Sequence, residues 1–189
     1  MAIDTGIALN CAALTEVGGL QNIFVTDLDN LATVTPSGSA AYTSLVGTVD
    51  WAMFQLKPNT ATWSSTSTKE NGITKFETTV SWYIPNIGTA RLAILEGMKN
   101  KCIVAVAEFR SGKFRTVGIS EEYQGFGYGS NDWIYNKTYA HCSVEETSGN
   151  EFGDGNGATV TLTATSFESP RVYSGAVTYN AGNTTASLT

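Results

Sequence analysis

With 189 residues the chain is long enough for one domain with a real core, or for one core carrying long hairpins and loops. Its 11 Lys and Arg against 17 Asp and Glu give a net charge of -6. That balance disfavours tight binding to nucleic acid, whose affinity comes largely from cations displacing the counterions of the phosphates. Only 15% of the residues are charged and 42% are hydrophobic, so Thr, Ser, Asn and Gly must fill the surface, as in extracellular or virion β proteins. Disorder is not expected except at the ends.

The opening Met1-Ala2-Ile3-Asp4 carries no basic region followed by an apolar one, and no apolar run is long enough to span a bilayer. The expectation is a chain made in a cytoplasm and not inserted in a membrane. Cys11, Cys102 and Cys142 show no metal-ligand spacing and no even framework, so inert thiols are expected.

In chain order, residues 22–27 read as a short strand closed by a turn over 27–30, after a bend at Gly18-Gly19. Residues 31–41 hold Thr35-Pro36-Ser37-Gly38-Ser39 and read as a projecting loop. Residues 47–56 alternate, with Val49, Trp51 and Met53 on one side, and predict a strand covered on both faces. Residues 60–84 read as a long antiparallel hairpin turned at Asn71-Gly72. One arm is rich in Ser and Thr. In the other, Phe76, Val80, Trp82 and Ile84 form a dry face and Lys75, Glu77, Thr79, Ser81 and Tyr83 a wet one.

A helix is expected over residues 89–99, with Thr89 as N-cap, Leu92, Leu95 and Met98 on one face, Lys99 and Lys101 near its last carbonyls, and Asn100 as a left-handed cap. Residues 102–109, apolar on both faces, predict a central strand that turns at Ser111-Gly112-Lys113 into a partner over 114–119. The Gly-aromatic stretch 124–130 reads as a loop, residues 137–145 as strand-like, and 145–156 as an acidic loop. Residues 158–165 then alternate Val160, Leu162 and Ala164 with threonines, as a strand with one uncharged polar face does. The single domain spans residues 1–175, and the Ser/Gly/Asn/Thr-rich residues 176–189 read as a flexible or partner-docked arm.

The chemistry candidates are weak. His141 and Cys142 are adjacent, and neighbours in a strand diverge, which argues against a nucleophile pair. Glu121-Glu122 and Glu145-Glu146 diverge likewise and read as solvated charges. The stretch Asp154-Gly155-Asn156-Gly157 lacks the spaced ligands and terminal Glu of a calcium loop, and Gly125, Gly127 and Gly129 lack the Lys-Ser/Thr pair of a phosphate loop. Of the four tryptophans, Trp63 and Trp133 are the two that fit a sugar-stacking surface. No catalytic residue, metal or cofactor is assigned.

The order of a polar hairpin arm, an alternating arm over 73–84, a short helix over 89–98, a central strand over 102–109 and a Thr-alternating strand running into Ser166-Phe167-Glu168-Ser169-Pro170 resembles the major tail (tail tube) proteins of long-tailed bacteriophages. The resemblance covers residues 47–173 and lies in element order; residues 3–24 and 35–41 have no counterpart in it. It implies a mainly β fold, a sandwich or barrel of antiparallel strands with one flanking helix and long hairpins. It further implies a non-enzymatic virion protein, assembled in the host cytoplasm into stacked, hexameric rings through which DNA passes, in contact with itself and with other phage tail proteins. The lumen or inter-subunit hairpin would then carry Trp63, Lys75, Glu77, Thr79 and Ser81. The rival classes are a phage decoration, fibre or carbohydrate-binding module presenting Trp63 and Trp133, and a hydrolase using Glu121, Glu122 or Asp132.

Overall fold

A computed structural model describes residues 18–37, 41–86, 88–120, 139–147, 156–180, 182 and 184–189. Strands β1 (Leu20–Asp27) and β7 (Ile103–Phe109) are buried at nearly every position, as strands covered on both faces are. They pair antiparallel from Leu20↔Phe109 to Asp27↔Ile103, with a bulge after Leu20. Around them one sheet curls back on itself. On the free side of β1 lie β4 (Trp51–Gln55), β13 (Thr185–Leu188) and β12 (Val177–Tyr179). Beyond β7 lie β8 (Phe114–Val117), β11 (Val172–Tyr173), β3 (Ala41–Gly47) and, at the edge, β2 (Leu31–Ser37).

A second arm of the sheet starts from the single pair Ile103↔Ala140, which joins β7 to β9 (Ala140–Thr147). From β9 it continues through β10 (Gly157–Ser166), β6 (Ile73–Pro85) and β5 (Ala61–Glu70). The expected mainly β class is thus observed, antiparallel throughout except for the short β11–β3 pairing.

The curl gives β1 and β7 two apolar neighbours. Ile23, Val25, Ala105 and Ala107 pack on Val80 and Trp82 of β6, Val160 and Leu162 of β10, and the helix α1 (Thr89–Lys99). Phe24, Val104 and Val106 pack the other way, on Tyr42, Leu45, Trp51, Tyr173, Ala186 and Leu188. Each large side chain so covered contributes roughly 1.5–3 kcal/mol. Trp51 and Trp82 are fully buried in the two clusters, as their strand positions predict.

The helix falls where its pattern places it, and Leu95 and Met98 are buried. Its ends differ from expectation. Gly88, in extended conformation, is the N-cap, Thr89 lies inside the first turn, and no side chain caps the helix. Asn100 has φ -101°, not a left-handed value; Lys101 leaves the helix and pairs with Asp27 Oδ2 at 2.9 Å, tying the helix exit to the end of β1.

Three other readings are corrected. Residues 31–37 are strand, not loop, because β2 is an edge strand and Pro36 sits at a register shift where its missing N–H breaks no ladder. The strand expected from residue 47 begins at Trp51, and Val49 is exposed in the bend before it. That bend is tight: a Cβ on Gly47 would lie 2.6 Å from the Val49 carbonyl. Residues 176–189, read as an arm, supply β12 and β13 within the same chain, with Ala186 and Leu188 in the core and β13 paired to β4. The Tyr173 hydroxyl donates to the carbonyls of Ala176 (2.9 Å) and Thr189 (3.1 Å), clasping this segment.

Truncation after Gly175 therefore uncovers Trp51 and Met53, and chemical denaturation is expected to show a loss of at least about 3 kcal/mol. Burial pushes the Tyr173 phenol from 10.0 up to about 12, and burial, with Glu108 beside it, does the same to Tyr179. A raised folded-state value means that the contribution is complete below about pH 10 and disappears as pH rises toward 12. Stability measured across that interval should fall steeply, with phenolate absorbance still rising near pH 12.

Candidate functional site

The arm β5–β6–β10–β9 is the part of the molecule whose chemistry the core does not explain. Its hairpin is set by Asn71 (φ 51°) and Gly72 (φ 84°), the two consecutive left-handed residues that a tight primed turn requires. The β5–β6 register runs without a break from Ala61↔Trp82 to Glu70↔Ile73, and β6–β10 from Pro85↔Gly157 to Phe76↔Ser166. Unbroken register keeps the pleat in phase across all four strands.

One face therefore collects Trp63, Val80, Trp82, Val160, Leu162, Ala164, Cys142 and Val144, and packs on the core. The other collects Thr62, Ser64 and Thr66 from β5, Glu77, Thr79 and Ser81 from β6, Thr161, Thr163 and Thr165 from β10, and His141, Ser143 and Glu145 from β9. None of these is buried. Thr161 Oγ1 donates to Ser81 Oγ at 3.1 Å, and Ser143 Oγ to the Thr161 carbonyl at 3.4 Å. The result is a sheet face covered with hydroxyls and sparse in charge.

The edges of this arm are open among the described residues. β5 pairs only with β6, and β9 past Ala140 pairs only with β10. The hairpin end beyond Phe76↔Ser166 is two-stranded and projects.

Of the residues assigned to the hairpin from sequence, Lys75, Glu77, Thr79 and Ser81 share the hydroxyl face, Lys75 bonding Glu70 at 3.2 Å. Trp63 does not join them. It pairs with Val80, is half-buried, and meets Phe109 edge-on with ring centroids 5.7 Å apart, because its position in β5 has core parity. Trp63 thus lies on the core-facing side of the arm; Trp133 lies outside the described residues, as do Cys11, Glu121, Glu122, Asp132, Asp154 and the Gly125–Gly129 run.

His141 and Cys142 diverge as strand neighbours must: the imidazole packs against Tyr139 at 4.8 Å on the exposed face, and the thiol turns to the core, where burial raises its pKa. Cys102 belongs to the opposite cluster. Glu145 and Glu146 are both exposed. No group of three His, Cys, Asp or Glu side chains that could hold a metal occurs among the described residues, and no described helix is long and apolar enough to cross a membrane.

One polar cluster has no counterpart among the sequence expectations. Glu108, buried in β7, accepts from Asn22 Nδ2 at 2.6 Å and from the Tyr179 hydroxyl at 3.1 and 3.0 Å. It pins β12 across β1 and β7, a structural task. The partners lie 86 and 71 residues away, so no local pattern signals it.

Compared with protein-family models, with curated proteins and with solved structures, the chain matches none. The hydroxyl-covered arm, whose outer strands pair on one side only among the described residues, remains the feature that core packing leaves unexplained. Because those hydroxyls face away from the core, Thr161→Val and Thr163→Val are each expected to change the unfolding free energy by no more than about 0.5 kcal/mol. A larger loss in denaturant titration would make the face part of the folding core.

Proposed function

We propose that the protein is a structural subunit that self-assembles into rings, and rings into a tube of the phage-tail kind through which DNA passes. The observation that carries this reading is that, among the described residues, β5 and β9 past Ala140 each pair on one side only, at the two sides of one four-stranded layer. A ten-residue edge strand rich in Ser and Thr is an unpaired row of N–H and C=O groups, which soluble proteins ordinarily cover, break or charge.

The strands alternate in direction, β5 against β6, β6 against β10, β10 against β9. Their number is even, so β9 of one copy and β5 of the next run in opposite senses. The ladder between copies would continue antiparallel with the hydroxyl face on the same side. Such head-to-tail pairing closes into a ring when the rotation per copy allows it, and closure removes both edges of this layer.

For six copies the wall would hold about 24 strands at ~4.8 Å spacing, roughly 115 Å around and ~37 Å across before strand tilt widens it. Its inner surface would be the Thr and Ser carpet with few charges. Hydroxyls exchange hydrogen bonds with water readily, and a chain of net charge -6 has no excess of cations to hold phosphates. A duplex would slide along such a wall without adhering. The core-facing side, anchored by Trp82 and Leu162, would hold the wall against the rest of each subunit.

Adjacent residues of a strand direct their N–H groups to opposite sides. Of Thr66→Pro and Ser67→Pro, both at exposed positions of β5, one must remove an N–H from the open edge and leave the β6 ladder intact. That variant should keep the monomer's thermal midpoint and abolish rings and tubes in negative-stain micrographs. Tubes from both variants, or a wild-type chain that stays monomeric in sedimentation at every concentration, would overturn the reading.

A further inference from the structure

The open edges do not account for two exposed apolar side chains at opposite ends of the hairpin arm. Ile73, at the hairpin tip, is 54% exposed, and Ile94, on α1, is 56% exposed. Ile94 borders a groove of about 120 Å³ where the helix crosses the far end of β6, lined by Phe54, Ile84, Arg91, Ile94 and Leu95. Tip and groove are separated by the strand from Ile73 to Ile84, about 36 Å at ~3.3 Å per residue. They cannot meet within one molecule.

They are complementary. The tip offers an apolar knob with the Glu70 carboxylate directly across the ladder from it, held by Lys75 in an exposed and therefore weak ion pair that Arg91 would have to exchange. The groove offers an apolar slot with the Arg91 guanidinium in its wall. Arg91 is held in place by its Nη1, which donates to the carbonyls of Pro85 (2.8 Å) and Asn86 (3.0 Å). Because knob and slot lie at opposite ends of one strand, joining them between copies gives an interface that repeats without closing, the kind that stacks units along a line.

We infer that the Ile73 tip of one copy seats in the Phe54–Ile84–Ile94 groove of a second copy in the adjoining ring, with Glu70 facing Arg91. The inference rests on the tube reading and assigns its axial interface, as distinct from the lateral one made by β5 and β9.

The test uses the full chain with Ile73→Glu, Ile73→Ser and Ile94→Glu made singly. Negative-stain microscopy and sedimentation should show rings of unchanged size and few or no stacks, with ring-to-ring association weakened by about tenfold or more in each variant. Glu70→Arg and Arg91→Glu should each shorten tubes, and their combination should restore length. Tubes of normal length from all the Ile73 and Ile94 variants would overturn the axial assignment and leave the ring reading standing. Loss of rings together with stacks would move these residues to the lateral interface and overturn it too. A wild-type chain that forms no rings would remove the tube reading beneath it.

Discussion

The pairing of β6 with β10, unbroken over the whole length of β10, is the constraint on which the arrangement depends. It places Val80 and Trp82 beside Leu162 and Val160 on one face, and that face must then be covered by β1, β7 and α1. The same pleat turns Thr79 and Ser81 outward beside Thr163 and Thr161. A slip of one residue would bury hydroxyls and expose Trp82, so the core enforces the polarity of the opposite face. The hydroxyl carpet is a consequence of core packing as much as a feature in its own right.

The molecule treats its edges unequally. β2 ends the sheet on one side with Pro36 and a register shift, the usual means of blunting an edge. The C-terminal segment folds over β4 and is clasped by Tyr173 and Tyr179. β5 and β9 show neither a proline nor a register shift. Among the described residues β5, and β9 past Ala140, pair on one side only, although α1 packs beside β9. That contrast with β2, at the two sides of one layer whose outer strands run in opposite senses, is the physical basis for proposing that copies complete one another there.

Much of this was legible in the residues, and the parts that were not share a cause. The β6 alternation, the Asn71-Gly72 turn, the doubly apolar β7 and the helical spacing of Leu92, Leu95 and Met98 are local signals, and each corresponds to an observed element. The strand through Pro36, the β12–β13 pair and the Glu108 cluster depend on partners far away in the chain. Residues 176–189 carry few large apolar side chains, yet Ala186 and Leu188 suffice once β4 offers them a surface. Trp63 groups with Lys75 and Glu77 in sequence because all lie in one hairpin. Which face it takes depends on its register with Val80, set by the turn and not by composition.

The most direct measurement is hydrogen–deuterium exchange of the β5 amides in dilute and in concentrated, assembled protein. If neighbouring copies complete the sheet, alternate amides between Ala61 and Glu70, exchanging freely in the monomer, become protected on assembly together with those of β9 past Ala140. If particles form and those amides still exchange as they do in the monomer, the copies associate through some other surface and the account is wrong.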